Sequence, residues 1–211
     1  ILSKVDESIK VGEKDYKLFT NIGKDFISDG YKNQIEFTKE YIPIFTYQVE
    51  NVIIKKFICM EHGKNTVSLF YYIKNKEKKA KLTLAPIVNF RAFHTVNNSD
   101  HFDVKQRIEN NKVNLILNNN SQHPIYFYLS DGNYIKHEND IFKNMYYIEE
   151  EKRGQEAVEN HLVPGRYEVE IVPNTEKYIT FVCSLEQNIE ELNGKDLINK
   201  GKEAARNLVD K

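Results

Sequence analysis

The residues of this 211-residue chain that could perform acid–base chemistry lie mainly in one short acidic run. Glu149, Glu150 and Glu151 precede Lys152 and Arg153. Paired carboxylates are what glycoside hydrolysis requires, one as the acid and the other as the base or the nucleophile. Consecutive residues of an extended segment, however, point to opposite sides and cannot readily flank one bond. The run therefore favours a charged surface segment with one or two salt bridges.

Other patterns of catalytic or cofactor-binding residues are absent from the sequence. The six histidines lack the short paired spacings that zinc sites favour. No serine nucleophile elbow, Walker loop or glycine-rich dinucleotide turn is found. The sequence therefore predicts no catalytic residue, no metal site and no cofactor within this chain.

One further segment, LAPIVNFRAFHT at 84–95, places Arg91 and His94 among aromatic residues. Such side chains are costly to bury unless they are paired. One interpretation is that Arg91 pairs with a nearby carboxylate, for example Glu150. The other is that Arg91 and His94 face a ligand or a partner domain. The residues alone leave both interpretations open.

The elements that must position these residues are strands, because apolar and polar residues alternate over 1–185. Aromatic residues, which suit strand faces, are abundant. A lysine-rich tip at 74–81, Asp131-Gly132 and Pro173-Asn174 are interpreted as hairpin turns. The predicted hairpins span 8–19, 43–61, 66–88, 124–136 and 166–184. Short strands at this spacing predict a mainly β fold, an antiparallel β-sandwich.

Two stretches depart from this alternation. The segment 141–165 is too long and too polar for a hairpin, and we interpret it as an excursion over the surface with a helical turn. The segment 188–211 changes to helical spacing and predicts an amphipathic helix. The apolar side of this helix comprises Leu197, Ile198, Ala204, Ala205, Leu208 and Val209.

Composition excludes several function classes. The net charge of −1 and the pI near 6.7 argue against a nucleic-acid partner. No apolar run approaches the roughly 20 residues of a membrane span, and no signal peptide is visible. Cys59 and Cys183 each lie in an apolar strand pattern, so both are expected to be buried and reduced. The cytoplasm is the expected location.

Four ordered segments resemble one known family. They are ILSKVDESI, PIFTYQVENVIIKKFICMEHGKNTVSLFY, LTLAPIVNFRAFH and NMYYIEEEKRGQEAVENHLVPGRYEVEI. In this order they resemble the N-terminal domain of prokaryotic-type glycogen debranching enzymes, the amylo-α-1,6-glucosidase relatives. The resemblance implies a supersandwich-like β domain at 1–187 and a helical linker at 188–211. It also implies a catalytic (α/α) barrel elsewhere in the same polypeptide.

The resemblance carries expectations about function as well. The family's glycine-rich extreme N-terminus, with its Arg-Tyr-His-Gly type motif, and its barrel have no counterpart here, so we expect one non-catalytic domain of a larger enzyme. This domain would support or orient branched α-glucan for α-1,6-glucosidic hydrolysis by the barrel. A free-standing carbohydrate-binding module and a purely structural interaction domain are the alternatives. The residues implied for substrate binding or the domain interface are Arg91, His94, Tyr147, Glu150 and Arg153.

Overall fold

A computed structural model describes residues 1–92, 94–189 and 192–209. It confirms the predicted antiparallel β fold with a C-terminal helix. The first strands are β1 (Leu2–Val11), β2 (Lys14–Lys17), β3 (Gln34–Lys39), β4 (Pro43–Val49), β5 (Val52–Met60), β6 (Thr66–Asn75) and β7 (Ala80–Val88). They are followed by β8 (Val104–Glu109), β9 (Lys112–Leu117), β10 (Ile125–Leu129), β11 (Asn133–Tyr146), β12 (Val158–Ile171) and β13 (Thr175–Ser184). The helices are a 3₁₀ turn at Gly30–Asn33, α1 (Ile148–Lys152) and α2 (Gly194–Val209).

The strands form two sheets around one main core. The five-stranded sheet has the order β11-β12-β7-β1-β2, and the eight-stranded sheet has the order β3-β4-β5-β6-β13-β10-β9-β8. In the central strands, alternation places one set of apolar residues on the inner face. In β1, for example, Val5 and Ile9 are buried, and Ile9 lies opposite Leu82 of β7. The core therefore follows from the period-two pattern.

Three of the predicted hairpins are wrong, because their turns carry the chain from one sheet to the other. The lysine-rich turn joins β6 of the eight-stranded sheet to β7 of the five-stranded sheet. The Asp131-Gly132 turn joins β10 to β11, and Pro173-Asn174 joins β12 to β13, again between sheets. The hairpins β1–β2 and β4–β5 are confirmed. Alternation identifies the buried face of a strand, but a strand on either side of the core has the same pattern.

The interpretation of 141–165 as a surface excursion is also wrong. Strands β11 and β12 form a long antiparallel pair, and only the helical turn, α1, was predicted correctly. Two register shifts interrupt the pair, next to Asn139 and Asn144, which both have positive φ. Strand β11 is the edge of its sheet and is mostly exposed. Its polar composition is that of an edge strand, which is why the sequence resembles a loop.

Helix α2 packs on the outer face of the eight-stranded sheet. Its side chains Leu197 and Ile198 are buried, the latter in a small cluster with Cys59 and Phe70. The backbone comes so close that a Cβ at Gly201 would lie 2.1 Å from the Cys59 sulfur. A glycine at this position therefore allows the helix to lie against β5.

The predicted apolar side of α2 is only partly covered. Ala204 and Ala205 are half-buried, whereas Leu208 and Val209 are 68% and 74% exposed. The predicted linker range 188–211 includes 190, 191, 210 and 211, which lie outside the described residues. Among the described residues, no helix has both the length and the apolar character needed to cross a membrane.

Both cysteines are free and buried, as expected. A buried ion pair also links the two sheets through the core. The ammonium of Lys56 on β5 lies 2.6 Å from the carboxylate of Glu7 on β1, which also accepts a hydrogen bond of 2.8 Å from Tyr71. Mutual pairing offsets part of the cost of placing these charges inside the sandwich.

Candidate functional site

Arg91 lies in the loop that follows β7, and its partner is a carboxylate that we did not predict. The guanidinium donates from Nε to one oxygen of Glu159 and from Nη2 to the other, at 3.2 Å. Glu159 is on β12, the neighbour of β7, and is fully buried. The predicted pair of Arg91 with Glu150 is therefore wrong. Arg91 instead ties its loop to the beginning of β12 in the five-stranded sheet.

The carboxylate of Glu159 is surrounded by donors. Besides the two bonds from Arg91, it accepts one from the Tyr147 hydroxyl at 2.9 Å and one from the Asn97 backbone N–H at 3.1 Å. A buried charge is tolerated when it is paired and its lone pairs are filled. Glu159 thus joins three segments of chain: the loop after β7, the start of α1 and β12.

His161 extends the cluster towards the N-terminal strand. Its Nε2 lies 3.0 Å from the Tyr147 oxygen, and its Nδ1 lies 3.0 Å from the Ser3 hydroxyl. Because Tyr147 donates its own proton to Glu159, the tyrosine oxygen must accept from His161 Nε2–H. Nδ1 is then left to accept from Ser3. The network assigns the Nε2–H tautomer to a neutral His161.

Three asparagines fix the same loop through backbone and side-chain hydrogen bonds. Asn89 donates to the carbonyl of Asn160 at 3.1 Å and accepts from Asn97 at 3.1 Å. The N–H of Asn160 donates to the Asn97 carbonyl at 2.7 Å. Because side-chain amides bond to both donors and acceptors of the backbone, they hold irregular loops in one conformation. This loop, which we call the anchored loop, is therefore held at Asn89 and at Asn97.

The electrostatics of the cluster favour an ionised glutamate beside a neutral histidine. Burial alone raises the pKa of Glu159, but the hydrogen bonds from Arg91 and Tyr147 outweigh it, so this pKa lies below its usual value. Burial lowers the pKa of His161, and the charge of Arg91 adds to this, whereas Glu159 opposes it. The pKa values of Arg91 and Tyr147 are both raised, that of Arg91 mainly by its hydrogen bond to Glu159 and that of Tyr147 mainly by burial.

The remaining predicted site residues lie on the surface. Glu150 pairs with Arg153 at 3.2 Å on α1, and Glu149 pairs with Lys152 at 2.7 Å. This confirms the interpretation of the acidic run as a charged surface segment with salt bridges. His94 is exposed in the loop that Arg91 anchors. The structure thus brings Arg91 and Tyr147 together on Glu159, and leaves His94, Glu150 and Arg153 facing solvent.

The chemistry open to this cluster is positioning rather than proton transfer. A general acid in glycoside hydrolysis needs a raised pKa, whereas the pKa of Glu159 is lowered. Its oxygens are also occupied by Arg91, Tyr147 and Asn97. No group of three or more His, Cys, Asp or Glu side chains that could hold a metal ion occurs in the described part of the chain.

Glu159 and His161 were not among the predicted site residues, although the sequence contains a signal for them. The two residues are two positions apart and so lie on the same face of a strand. In VENHLVPG at 158–165 they are charged or titratable residues next to an apolar run. Treating this segment as part of a polar excursion hid the pattern of two ionisable residues on one buried face.

The sequence of residues 1–178 matches the family described as "Glycogen debranching enzyme N terminal". The chain belongs to this family. The match includes the anchored loop, α1 and β12, and hence every residue of the Glu159 cluster. It confirms the resemblance that the four ordered segments indicated.

Three solved structures are similar to this chain at low identity. A protein named as a kojibiose phosphorylase, from the human microbiome, matches 95% of this chain with a TM-score of 0.48 and 13% identity. A bacterial glucoamylase in complex with acarbose matches 99% with a TM-score of 0.48 and 14% identity. A polysaccharide lyase matches 87% with a TM-score of 0.42 and 12% identity. The matches cover 27%, 32% and 25% of those chains. A comparison with curated protein sequences finds no match.

Proposed function

We propose that this chain is the non-catalytic N-terminal domain of a glycogen debranching enzyme. It supports or orients branched α-glucan while a separate catalytic (α/α) barrel of the same polypeptide hydrolyses the α-1,6 bond. The observation that carries the proposal is the anchored loop, which the family match includes. A buried ionised carboxylate holds this loop in place at one end of the sandwich, and the loop exposes His94 to solvent.

The five residues implied by the family resemblance take two different roles in this proposal. Arg91 and Tyr147 act from inside, because both bond to Glu159 and fix the loop and the start of α1. His94 and Arg153 are exposed, Glu150 is half-buried, and the three form the contact surface towards the barrel or the glucan. Rigid support beneath an exposed polar surface reduces the entropy lost when a partner binds.

Helix α2 supports the domain assignment. In this proposal the sandwich spans 1–187, and 188–211 is the linker towards the barrel. The exposed apolar residues Leu208 and Val209 lie at the end of that helix. Exposed apolar side chains close together are typical of a surface that contacts another domain. The free, buried cysteines are compatible with the reducing cytoplasm, where we place the protein.

The test uses the full-length enzyme that contains this domain. His94→Ala should lower activity on branched glucan or weaken the contact between domains, and it should leave the fold of the 211-residue chain intact. Arg91→Ala should lower the same activity by releasing the loop. Glu77→Ala is the control, because Glu77 is exposed in the crossover at the opposite end of β7. If both loop variants behave like the control, the loop has no role in substrate or domain contact.

The non-catalytic part of the proposal has its own test. The purified chain should release no glucose from branched glucan, because its buried glutamate is engaged and its acidic run is paired on the surface. Glucose release that Glu150→Gln abolishes would overturn the assignment. It would show that the exposed carboxylates of α1 act as catalytic groups.

A further inference from the structure

A second site, lined by polar and aromatic residues, lies on the outer face of the eight-stranded sheet. It is a cleft of about 420 Å³ between the sheet and the start of α2. Small-molecule sites usually range from about 300 to 1,000 Å³, so the cleft can accommodate a short ligand. Its walls include Phe70, Tyr128 and Tyr178 from the sheet, and Asn193 and Lys195 from the beginning of the helix.

Aromatic rings form the floor of the cleft. Tyr178 on β13 is 48% exposed and lies opposite Tyr72 of β6, with the ring centroids 5.3 Å apart. Phe70 lies on the other side, stacked at 5.9 Å with an interplanar angle of 18°. Half-exposed aromatic rings on a rigid sheet offer an apolar surface at little entropic cost. A sugar ring has an apolar C–H face that suits such a surface.

Helix α2 forms a fixed wall of the cleft. A Cβ at Gly194 would lie 2.3 Å from Thr180 Oγ1 and 2.6 Å from the Phe70 ring, so glycine allows the helix to begin directly on the sheet. Asn193 accepts the N–H of Lys195 at 2.9 Å and thereby caps the helix. The position of the wall is set by backbone contacts, and the cleft is preformed.

Hydrogen-bonding groups in the cleft are available to a ligand. Among the described residues, the hydroxyls of Tyr128 and Tyr178 and the Asn193 side-chain N–H groups have no hydrogen-bond partner in the protein. Ser130 Oγ accepts from the Thr180 N–H at 2.9 Å and retains its own proton for donation. These groups are neutral and can both donate and accept, which matches the hydroxyls of a carbohydrate.

The charges near the cleft argue for a neutral ligand. Lys74 pairs with Glu176 at 2.9 Å, and Lys177 pairs with Asp131 at 2.6 Å. The ammonium of Lys195 lies 4.2 Å from the centre of the Tyr178 ring. An exposed cation–π contact is weak, so a sugar ring can take its place while the ammonium turns towards a hydroxyl. Lys195 is the one charged side chain among the described lining residues, and a single ammonium attracts a polyanion only weakly.

We propose that this cleft is a binding site for a short α-1,4-linked glucan segment. The choice of α-glucan rests on the proposed function, whereas the choice of a neutral carbohydrate rests on the cleft itself. In a debranching enzyme, such a site would hold an outer chain of the polymer away from the reacting branch. A glucan chain held in this cleft raises the effective concentration of the same polymer at the site where the branch is hydrolysed.

The experiment is a titration of the purified 211-residue chain with maltohexaose, followed by nuclear magnetic resonance. The sugar should shift the Asn193 side-chain amide and leave the Asn97 amide, in the anchored loop, unchanged. Tyr178→Ala should weaken binding by up to about tenfold, the effect of losing one stacking partner. Tyr178→Phe should retain most of the affinity. Tyr31→Ala is the matched control, because Tyr31 is 56% exposed on another part of the surface.

Every outcome decides the proposal. Absence of binding at millimolar maltohexaose, binding unaffected by Tyr178→Ala, or equal loss in Tyr31→Ala would each overturn it. Equal affinity for cellohexaose, a β-1,4-linked glucan, would overturn the α-glucan assignment. The shifts in the unmodified chain decide the matter even if Tyr178→Ala is poorly folded. Failure here leaves the proposed function standing, since that is tested by His94 and Arg91 in the full-length enzyme.

Discussion

Glu159 shows how a carboxylate can be fully buried in a sandwich and remain ionised. The energy lost by removing it from water is offset by a bidentate arginine, a tyrosine hydroxyl and a backbone N–H. These donors come from segments that are distant in sequence, so the carboxylate acts as the point where the segments meet. Its removal should be costly because several donors lose their partner together.

We predict that Glu159→Ala destabilises the chain by about 3 kcal/mol, the range found when one partner of a buried ion pair is removed. Glu150→Ala should change stability by less than about 0.5 kcal/mol, because its pair with Arg153 is on the surface. Urea unfolding followed by circular dichroism measures both. Similar losses in the two variants would show that the buried network contributes no more than a surface salt bridge.

The same cluster predicts that stability falls on acidification. The folded-state pKa values of Glu159 and His161 are both lowered, so the unfolded chain binds protons more readily than the folded chain. Stability contributed by a lowered pKa is present above the unfolded-state value and is lost as the pH falls. The loss should begin near the ordinary histidine value of about 6.5 and continue through the glutamate range below about 4.5.

The histidine part of this prediction can be isolated. Urea unfolding in buffers between about pH 8 and pH 5 should give a shallower pH dependence for His161→Gln than for the unmodified chain. The groups that face His161 are Glu159, Arg91, Tyr147 and the Ser3 hydroxyl. The ordinary pKa values of Arg91 and Tyr147 lie well above this range. An identical slope in both proteins would assign the acid sensitivity to other residues.

Arg91 and Tyr147 of the cluster were predicted from the sequence, whereas Glu159 and His161 were not. Arg91 stood out because a cation among aromatic residues needs a partner, and Tyr147 came from the family resemblance. The partner of Arg91 could not be identified from the sequence alone. Three consecutive glutamates at 149–151 stand out more than the single Glu159. Which carboxylate meets Arg91 is decided by the pairing of β7 with β12, a long-range contact that local patterns do not contain.

At the scale of elements, the strands were predictable and their partners only in part. Alternation depends on one buried face, which is the same whether a strand belongs to the first or the second sheet. The turns after β6, β10 and β12 therefore have the sequence pattern of hairpin turns, although each joins a strand of one sheet to a strand of the other. The β1–β2 and β4–β5 hairpins were predicted correctly because in these two cases the strands on either side of a short turn pair with each other.

The contact of α2 with β5 gives a prediction at this scale. Gly201→Ala should destabilise the chain by about 1–2 kcal/mol, because the new methyl group would meet the Cys59 sulfur. The gain in helix propensity, up to about 1 kcal/mol, is smaller than the cost of the overlap. In a Cys59→Ala background the sulfur is absent, and the same change should be neutral or stabilising.

A double-mutant cycle by urea unfolding measures this coupling. Asn199→Ala is the control, because Asn199 is an exposed residue of the same helix. The Cys59 thiol should also react faster with a thiol reagent in Gly201→Ala, whereas Cys183 should stay inert. Burial raises the pKa of Cys183 to about 12, which leaves little thiolate at neutral pH. Additive effects of the two substitutions would contradict the close approach.

For the whole molecule, stability resides mainly between the two sheets. The main core contains residues from both sheets, and five connections cross between them (β2–β3, β6–β7, β7–β8, β10–β11 and β12–β13), so neither sheet is expected to unfold alone. Helix α2 adds a second, smaller contact on the outside of the eight-stranded sheet. This division corresponds to the proposed boundary between a sandwich at 1–187 and a linker helix.

Removal of the helix tests that boundary. A chain that ends at residue 189 loses the burial of Leu197 and Ile198, which are 4% and 7% exposed. At about 1.5–3 kcal/mol for each buried aliphatic side chain, the free energy of unfolding should fall by roughly 3–6 kcal/mol. The far-ultraviolet circular dichroism should retain its β character, because the core between the sheets is untouched. The uncovered sheet face should bind an apolar dye.

The matched control is a chain that ends at residue 207. It lacks only the end of α2, where Leu208 and Val209 are 68% and 74% exposed, so its stability should change by less than about 0.5 kcal/mol. A shortened chain ending at residue 189 that is unfolded would show that α2 is an integral part of the sandwich. In that case the unit that orients the glucan would include the helix, and the linker towards the catalytic domain would have to lie beyond it.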